Sequence, residues 1–222
     1  MKLLVTRPEP GASATAARLA AMGYEPVVLP CLTIRATTPR LPEHPAALVI
    51  TSGQAIPALP AALHNIPAFC VGDATAAKMR QAGFTRVESA SGNADDLARL
   101  VAARHVPGLH LLAVGERHGV VLAKKLRETG IPVLRRKVYA VTPARHLPED
   151  VAGALAAGKI PGALFYSAET ARAFARLNPP GTATMTAYVL SETIATALQD
   201  LPWAQIRAAV APTEADLMAL LA

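Results

Sequence analysis

The sequence predicts an α/β fold of two similar parallel-sheet βα lobes, joined by two extended connector strands, with a cleft between the lobes. Three observations predict it. Short apolar runs alternate with Ala-rich segments at helical spacing, the pattern of parallel βα units. Four blocks of sequence recur in the same order along the chain. Two β-rich stretches, Glu25 to Ile34 and Val133 to Thr142, stand outside that alternation and suit strands that cross between lobes.

The elements follow in order. Leu3–Thr6 reads as a strand, and residues 14–22 as a helix closed by Gly23, which suits a C-cap. Val27–Leu29 is the next strand and merges into the first connector. Leu48–Ser52 is a strand, and the helix after it is shaped by Pro57 and Pro60. Phe69–Gly72 leads into a helix over 74–81 that Gly83 closes. Asn93 opens a helix over 94–103, with Asp96 three residues on in the manner of a capping box. Leu109–Val114 and residues 120–129 are a strand and a helix ended by Gly130. Pro148 stands in the first turn of a helix that Gly158 ends. Three units close the chain: strands at 163–166, 186–190 and 208–211, with helices at 169–177, 193–200 and 214–221.

The blocks pair over long range. Leu4-Val5 through Gly23 resembles Leu111-Leu112 through Gly130, with Glu9 answering Glu116. Residues 47–52 resemble 162–167, residues 71–75 resemble 189–193, and residues 93–97 resemble 213–217. Two partitions satisfy this repetition. A tandem cut near Gly108 makes each lobe contiguous and needs one crossing. The presence of two connector-like strands favours the other, in which the chain leaves the first lobe early, builds the second and returns. On that reading one lobe comprises residues 1–34 and 143–222, the other 37–134, with connectors at about 26–36 and 133–142.

Composition narrows the function. Hydrophobic residues are 52% of the 222 and charged ones 17%, enough to bury a core. No apolar run approaches the roughly 18 residues of a membrane span, and the apolar start is too short for a signal peptide. Cys31 and Cys70, far apart in strand-like runs, read as buried free thiols of a reducing cytoplasm, with a disulfide the lesser alternative. The net charge of +6 favours an anionic partner. Aromatics are only 4%, and the cations (Arg7, Arg35, Arg40, Arg117, Lys124, Lys125, Arg135, Arg136, Lys137, Arg145) are dispersed, so a nucleic-acid surface is not indicated. Solvated surface charge accounts for most of them, and a small polyanionic ligand remains open.

No GK[ST] loop, G-x-G-x-x-G or G-x-S-x-G occurs, and the six histidines and two cysteines fall at no metal-ligand spacing. Metal, nicotinamide and hydrolase readings therefore all start weak. What remains is a set of polar residues at one structural position: Thr6, Ser52, Asp73, Asn93, Ser167, Ser191 and Thr213 each follow a strand and precede a helix. Most such residues are N-caps. The same position is the carboxyl edge of a parallel sheet, where open α/β folds bind ligands and helix N-termini attract anions. Arg7 ends the first strand, where it faces either ligand or solvent. Tyr139, on the second connector, reads first as a half-buried packing residue. Tyr24, Tyr166 and Tyr188 read as packing residues outright, and Arg135–Lys137 as solvated or cleft-rim charge.

In order and spacing, Val5-Thr6-Arg7-Pro8, Thr51-Ser52, Val71-Gly72-Asp73-Ala74-Thr75, Ser91-Gly92-Asn93-Ala94, Val138-Tyr139, Ser167 and Ala211-Pro212-Thr213 resemble the uroporphyrinogen-III synthase family over essentially the whole chain. The resemblance implies two α/β lobes joined by two strands, a monomer in the cytoplasm, and no cofactor or metal. It implies a lyase of tetrapyrrole (heme, siroheme, cobalamin) biosynthesis. Its substrate would be hydroxymethylbilane, an octacarboxylate linear tetrapyrrole cyclised with loss of water and inversion of ring D. Nucleic acid and membrane play no part, and transient contact with neighbouring pathway enzymes is compatible with the role. Tyr139 matches the tyrosine thought to protonate the leaving hydroxyl. Arg7, Thr51, Ser52, Thr75, Asn93, Ser167, Thr193 and Thr213 carry over as substrate-binding positions. Two departures stand out: Leu190-Ser191 replaces the glycine common before that helix, narrowing the approach to Thr193, and Tyr166-Ser167 stands where the first copy has Thr51-Ser52. The competing reading is a two-lobed cytoplasmic sensor that binds a small anion without chemistry; a third is a homologue that has lost catalysis.

Overall fold

The computed structural model describes residues 1–116 and 118–221. Arg117, one of the dispersed cations, and the terminal Ala222 lie outside the described residues. The chain divides into two compact units, one of Met1–Thr33 with Thr142–Ala222 and the other of Ile34–Val141.

In chain order the elements are β1 (Lys2–Val5), α1 (Gly11–Ala21), β2 (Glu25–Val28), β3 (Leu32–Ala36) and β4 (Ala47–Ile50). Two 3-10 segments, Gly53–Ala58 and Ala61–Leu63, precede β5 (Ala68–Cys70), α2 (Asp73–Gln81), β6 (Val87–Ser89) and α3 (Ala94–Arg104). Then come β7 (His110–Gly115), α4 (Val120–Glu128), the long β8 (Val133–Pro143), α5 (Glu149–Ala156), β9 (Gly162–Phe165) and α6 (Ala168–Ala175). A 3-10 turn at Thr182–Thr184, β10 (Thr186–Val189), α7 (Glu192–Thr196), β11 (Gln205–Ala208) and α8 (Glu214–Ala219) complete the described chain.

The first unit holds a five-stranded parallel sheet in the order β11-β10-β9-β1-β2. The second holds six strands in the order β3-β8-β7-β4-β5-β6, parallel from β8 to β6. Without the edge strand β3, the second order reads β8-β7-β4-β5-β6 and matches β2-β1-β9-β10-β11 strand for strand. Each of the four sequence repeats falls at the same place in its own sheet. The two β-rich crossing stretches are themselves sheet strands: β2 edges the first sheet, while β3 and β8 belong to the second.

Both sheets are covered on both faces, as parallel sheets require, and that explains their continuous apolar runs. In the second unit Leu48, Ile50 and Leu111 pack on Met79 of α2, on Ala55 and Leu63 of the 3-10 segments and on Leu59 between them. Val49, Leu112 and Val114 point the other way, onto Leu97 and Val101 of α3 and Leu122 and Leu126 of α4. In the first unit Leu3, Val5 and Leu164 pack on Leu19 of α1 and Leu217 of α8. Phe165, next along β9 and so on the opposite face, meets Phe174 of α6 at 5.3 Å and Trp203 at 5.9 Å.

Several elements depart from the expectations. The helix expected after Ser52 is two short 3-10 segments, because Pro57 and Pro60 remove backbone donors where an α-helix needs them. The last strand is Gln205–Ala208 rather than 208–211: it is an edge strand registered on β10 (Thr186↔Gln205 to Val189↔Ala208), and its partial exposure admits Gln205 and Arg207. Residue 210, inside the apolar run that suggested the later start, is 98% exposed. Strand β6 was not foreseen; three half-buried residues carry no alternation to read. Helix α7 is the short Glu192–Thr196 where 193–200 was expected, and Pro148 immediately precedes α5 rather than lying within it.

Thr6 is fully buried, and its hydroxyl donates to the Leu164 carbonyl at 2.7 Å, tying the end of β1 to β9. Thr6→Val keeps the shape and loses that bond, so urea unfolding is expected to show a loss of about 1 kcal/mol. His110 is also buried: Nδ1 lies 3.0 Å from the Gly108 carbonyl, and Nε2 is the only buried side-chain polar atom without a partner among the described residues. Burial lowers its pKa from the ordinary 6.5. The unfolded chain therefore takes up the proton first as pH falls, so His110 erodes stability from about pH 6.5 downward and contributes no such loss above it. Denaturation midpoints of wild type and His110→Leu should diverge with this sign between pH 7.5 and 5.

Candidate functional site

In a parallel βα unit each helix starts where its strand ends, so the helix N-termini of each unit gather at the carboxyl edge of its sheet. Four of the expected residues there are N-caps. Ser52 Oγ accepts from Gln54 N–H at 3.3 Å, Ser167 Oγ from Thr170 N–H at 3.2 Å, and Thr213 Oγ1 from Asp216 N–H at 3.1 Å. Asn93 forms a full capping box: its Oδ1 accepts from Asp95 and Asp96 N–H at 2.8 and 3.3 Å, and Asp96 accepts from Asn93 N–H at 2.8 Å. A cap satisfies one or two of the four orphan donors at a helix start and leaves the rest directed out of the edge.

The other three residues expected at cap positions do something else. Thr6 makes the β1–β9 tie instead. Asp73 is the first residue of α2, after Gly72 at the cap position. Its carboxylate accepts from the Ser91 hydroxyl at 2.9 Å, and hydrogen bonds from Ser89 and then Ser91 hold it below the usual carboxylate range. Ser191 occupies the cap position of α7 without a side-chain bond.

The second unit brings five expected site residues to one edge. Thr51 and Ser52 follow β4, Thr75 lies in the first turn of α2 after β5, Asn93 follows β6, and Tyr139 lies on β8. Neighbouring strands are about 4.8 Å apart, so this edge spans about 20 Å from β8 to β6. Tyr139 is 6% exposed and belongs to the core cluster around Leu48, Ile50 and Val138. Two local features set this ring. The β7–β8 register slips between Val114, which pairs with Lys137, and Gly115, which pairs with Tyr139, so a bulge re-aims the side chain. A Cβ on Gly115 would meet the ring carbons at 2.6 and 2.7 Å and the hydroxyl at 2.9 Å. Only glycine leaves room.

The first unit gathers Arg7, Ser167, Thr193 and Thr213 at its own edge. Thr193, second in α7, is exposed. Arg7 is not a free cation. Its guanidinium lies 3.9 Å from the centre of the Tyr166 ring, and Nη1 donates to Thr15 Oγ1 at 3.1 Å and Glu214 Oε1 at 3.3 Å. The Tyr166 hydroxyl donates to the same Glu214 oxygen at 3.1 Å, and Arg18 Nη1 reaches Oε2 at 3.4 Å. Burial pushes the Tyr166 hydroxyl up to about 12. Tyr166 is thus part of a polar cluster rather than a plain packing residue. Tyr24 and Tyr188 do pack in the core of that unit.

The cations of β8 are also engaged. Arg135 Nε and Nη2 donate to the His118 and Glu116 carbonyls at 2.7 and 2.8 Å, Arg136 Nε donates to the Arg40 carbonyl at 3.1 Å, and Lys137 pairs with Glu116 at 3.5 Å. Arg135 therefore holds the loop that follows β7 instead of being merely solvated.

Sequence reading missed Gly115, Gly11, Thr15, Arg18 and Glu214. Gly115, which ends an apolar strand, left the one usable signal, since a glycine inside a strand pattern marks a bulge or a close approach. Cys31 and Cys70 are buried free thiols. Among the described residues no group of three His, Cys, Asp or Glu side chains is placed to hold a metal, and no helix is long and apolar enough to cross a membrane.

The chain's likenesses agree with this architecture. It matches solved uroporphyrinogen-III synthetase from Helicobacter pylori with a TM-score of 0.67 at 21% identity, covering 100% of this chain and 98% of that one. It matches a mutant uroporphyrinogen-III synthase from Thermus thermophilus with a TM-score of 0.57 at 16% identity, covering 100% and 96%. At these identities the likeness speaks for the fold. No curated protein matches the sequence. The family model described as uroporphyrinogen-III synthase HemD matches residues 13–219. Nearly the whole chain falls within that match, and the chain belongs to the uroporphyrinogen-III synthase family.

Proposed function

We propose that the chain converts hydroxymethylbilane to uroporphyrinogen III, and the family match over residues 13–219 is the observation that carries this reading. The edges described above suit the substrate. A polycarboxylate is complemented by capped helix starts that direct backbone N–H groups outward, in a chain of net charge +6. Thr51, Ser52, Thr75 and Asn93 of one unit and Arg7, Ser167, Thr193 and Thr213 of the other are its proposed substrate-binding residues. The stretches 26–36 and 133–142 are the proposed connectors of the two units, and the chain is proposed to act in the cytoplasm and as a monomer.

Tyr139 is the proposed general acid. Its proton passes to the terminal hydroxyl of the bilane, the carbon–oxygen bond breaks, and water leaves a pyrrole-stabilised cation. The substituted carbon of ring D attacks that cation to give a spiro intermediate. The bond from the spiro carbon to the ring C methylene then breaks, and that methylene rejoins ring D at its free α-carbon on the other side of the pyrrole nitrogen, which inverts ring D; the proton lost from that α-carbon on rearomatisation returns the tyrosinate to tyrosine. Holding the bilane folded for this attack is the larger task, since orientation supplies more of the barrier than one acid does.

Freshly generated hydroxymethylbilane incubated with the protein should yield predominantly the type III isomer. Type I product alone, at the spontaneous rate, contradicts the proposal and leaves the small-anion sensor. Tyr139→Phe should fold normally and lower kcat by about 100-fold, the low end for general acid catalysis. Gly115→Ala should displace the Tyr139 ring and reduce kcat with a smaller effect on KM; unchanged kinetics in both variants would return Tyr139 to packing.

A further inference from the structure

We infer that Arg7, Thr15, Arg18 and Tyr166 form a carboxylate receptor that Glu214 occupies in the unliganded protein, and that a propionate or acetate group of the ligand displaces it. The inference deepens the proposed function, on which the naming of the ligand rests.

Four donors from three elements converge on one carboxylate. Arg7 follows β1, Thr15 and Arg18 lie on α1, and Tyr166 follows β9. Glu214, the first residue of α8, receives Arg7 Nη1, Thr15 Oγ1 and Tyr166 OH on one oxygen at 3.3, 3.3 and 3.1 Å, and Arg18 on the other at 3.4 Å. With two guanidiniums and one carboxylate, the set retains a unit of positive charge.

The receptor is built rather than incidental. Thr15 is fully buried, and its hydroxyl lies between Arg7, Tyr166 and Glu214. The Arg7 guanidinium is fixed between the Tyr166 ring on one side and Gly11 on the other; a Cβ on Gly11 would fall 2.4 Å from Nε and 2.7 Å from Cζ. The donors are therefore placed before any ligand arrives.

Glu214 fits this receptor loosely. Charge-assisted bonds to carboxylate normally close to about 2.7–2.9 Å, and all four contacts here are longer. The Glu214 side chain is 37% exposed. A pair this exposed is worth little, so an incoming carboxylate of better geometry exchanges with it at small cost.

The test uses two probes. Sodium propionate, titrated into the full chain and followed by the Arg side-chain Nε–H signals, reports on the receptor alone. Glu214→Gln should bind propionate about three- to tenfold more tightly than wild type, the scale of one exposed ion pair removed from competition. Arg7→Gln should abolish the binding. Glu169→Gln, which removes an exposed charge at the same edge outside the cluster, should change it less than Glu214→Gln does. The inference is overturned if Glu214→Gln binds no better than Glu169→Gln, for the cluster is then an internal brace, or if Arg7→Gln binds as wild type does. The isomer assay is the second probe. Failure to make type III product with the propionate results intact would remove the synthase reading and leave the receptor.

Discussion

The parallel sheet must bury both of its faces, and the rest of the molecule follows from that constraint. Covering both faces requires a return segment after each strand, and in the described chain most of those segments are helical. Every such helix begins at the carboxyl edge of its sheet. The caps of Ser52, Asn93, Ser167 and Thr213 follow, since each helix start has orphan donors to satisfy. A surface made of capped helix starts binds anions without needing many special side chains. This is how a chain with no recognisable cofactor or nucleophile motif can still carry a ligand-binding edge, and how it can carry two.

On this regular frame the distinctive groups are placed by irregularities. Tyr139 owes its position to a one-residue slip in the β7–β8 ladder and to the missing side chain of Gly115. Arg7 owes its position to the missing side chain of Gly11 and to the face of Tyr166. In both cases a glycine at the end of a strand or the start of a helix admits a large group that would otherwise point elsewhere. The same device operates once in each unit, on a phenol in one and a guanidinium in the other.

Much of this was legible in the sequence because it depends on period and order. The alternation of apolar runs with Ala-rich segments gave the α/β class, and the four repeated blocks proved to fall in matching βα units of the two sheets. The Asn93–Asp96 spacing gave a capping box that the structure contains. What stayed hidden depends on contact between residues distant in sequence. Nothing local marks Glu214 as the partner of Arg7, 207 positions away, or Thr6 as the partner of Leu164 rather than a cap. Tyr166 looked like packing because a ring at a strand end usually is. The run 208–211 looked like a strand because composition does not reveal where an edge strand's ladder begins. The three cations of β8 read as solvated or cleft-rim charge because a guanidinium bonded to a loop carbonyl has no sequence pattern.

The central claim is that the proposed polycarboxylate ligand is held largely by backbone N–H groups of helix starts. Backbone amide hydrogen exchange measures this directly, with and without uroporphyrin III, the stable oxidised form of the proposed product. Exchange should slow at residues 52–54, 72–76 and 93–96 in one unit and at 167–170 and 213–216 in the other, with the opposite ends of the sheets unchanged. Unaltered exchange at these helix starts, or protection confined to the opposite ends around residues 83–87 and 108–110, would contradict it.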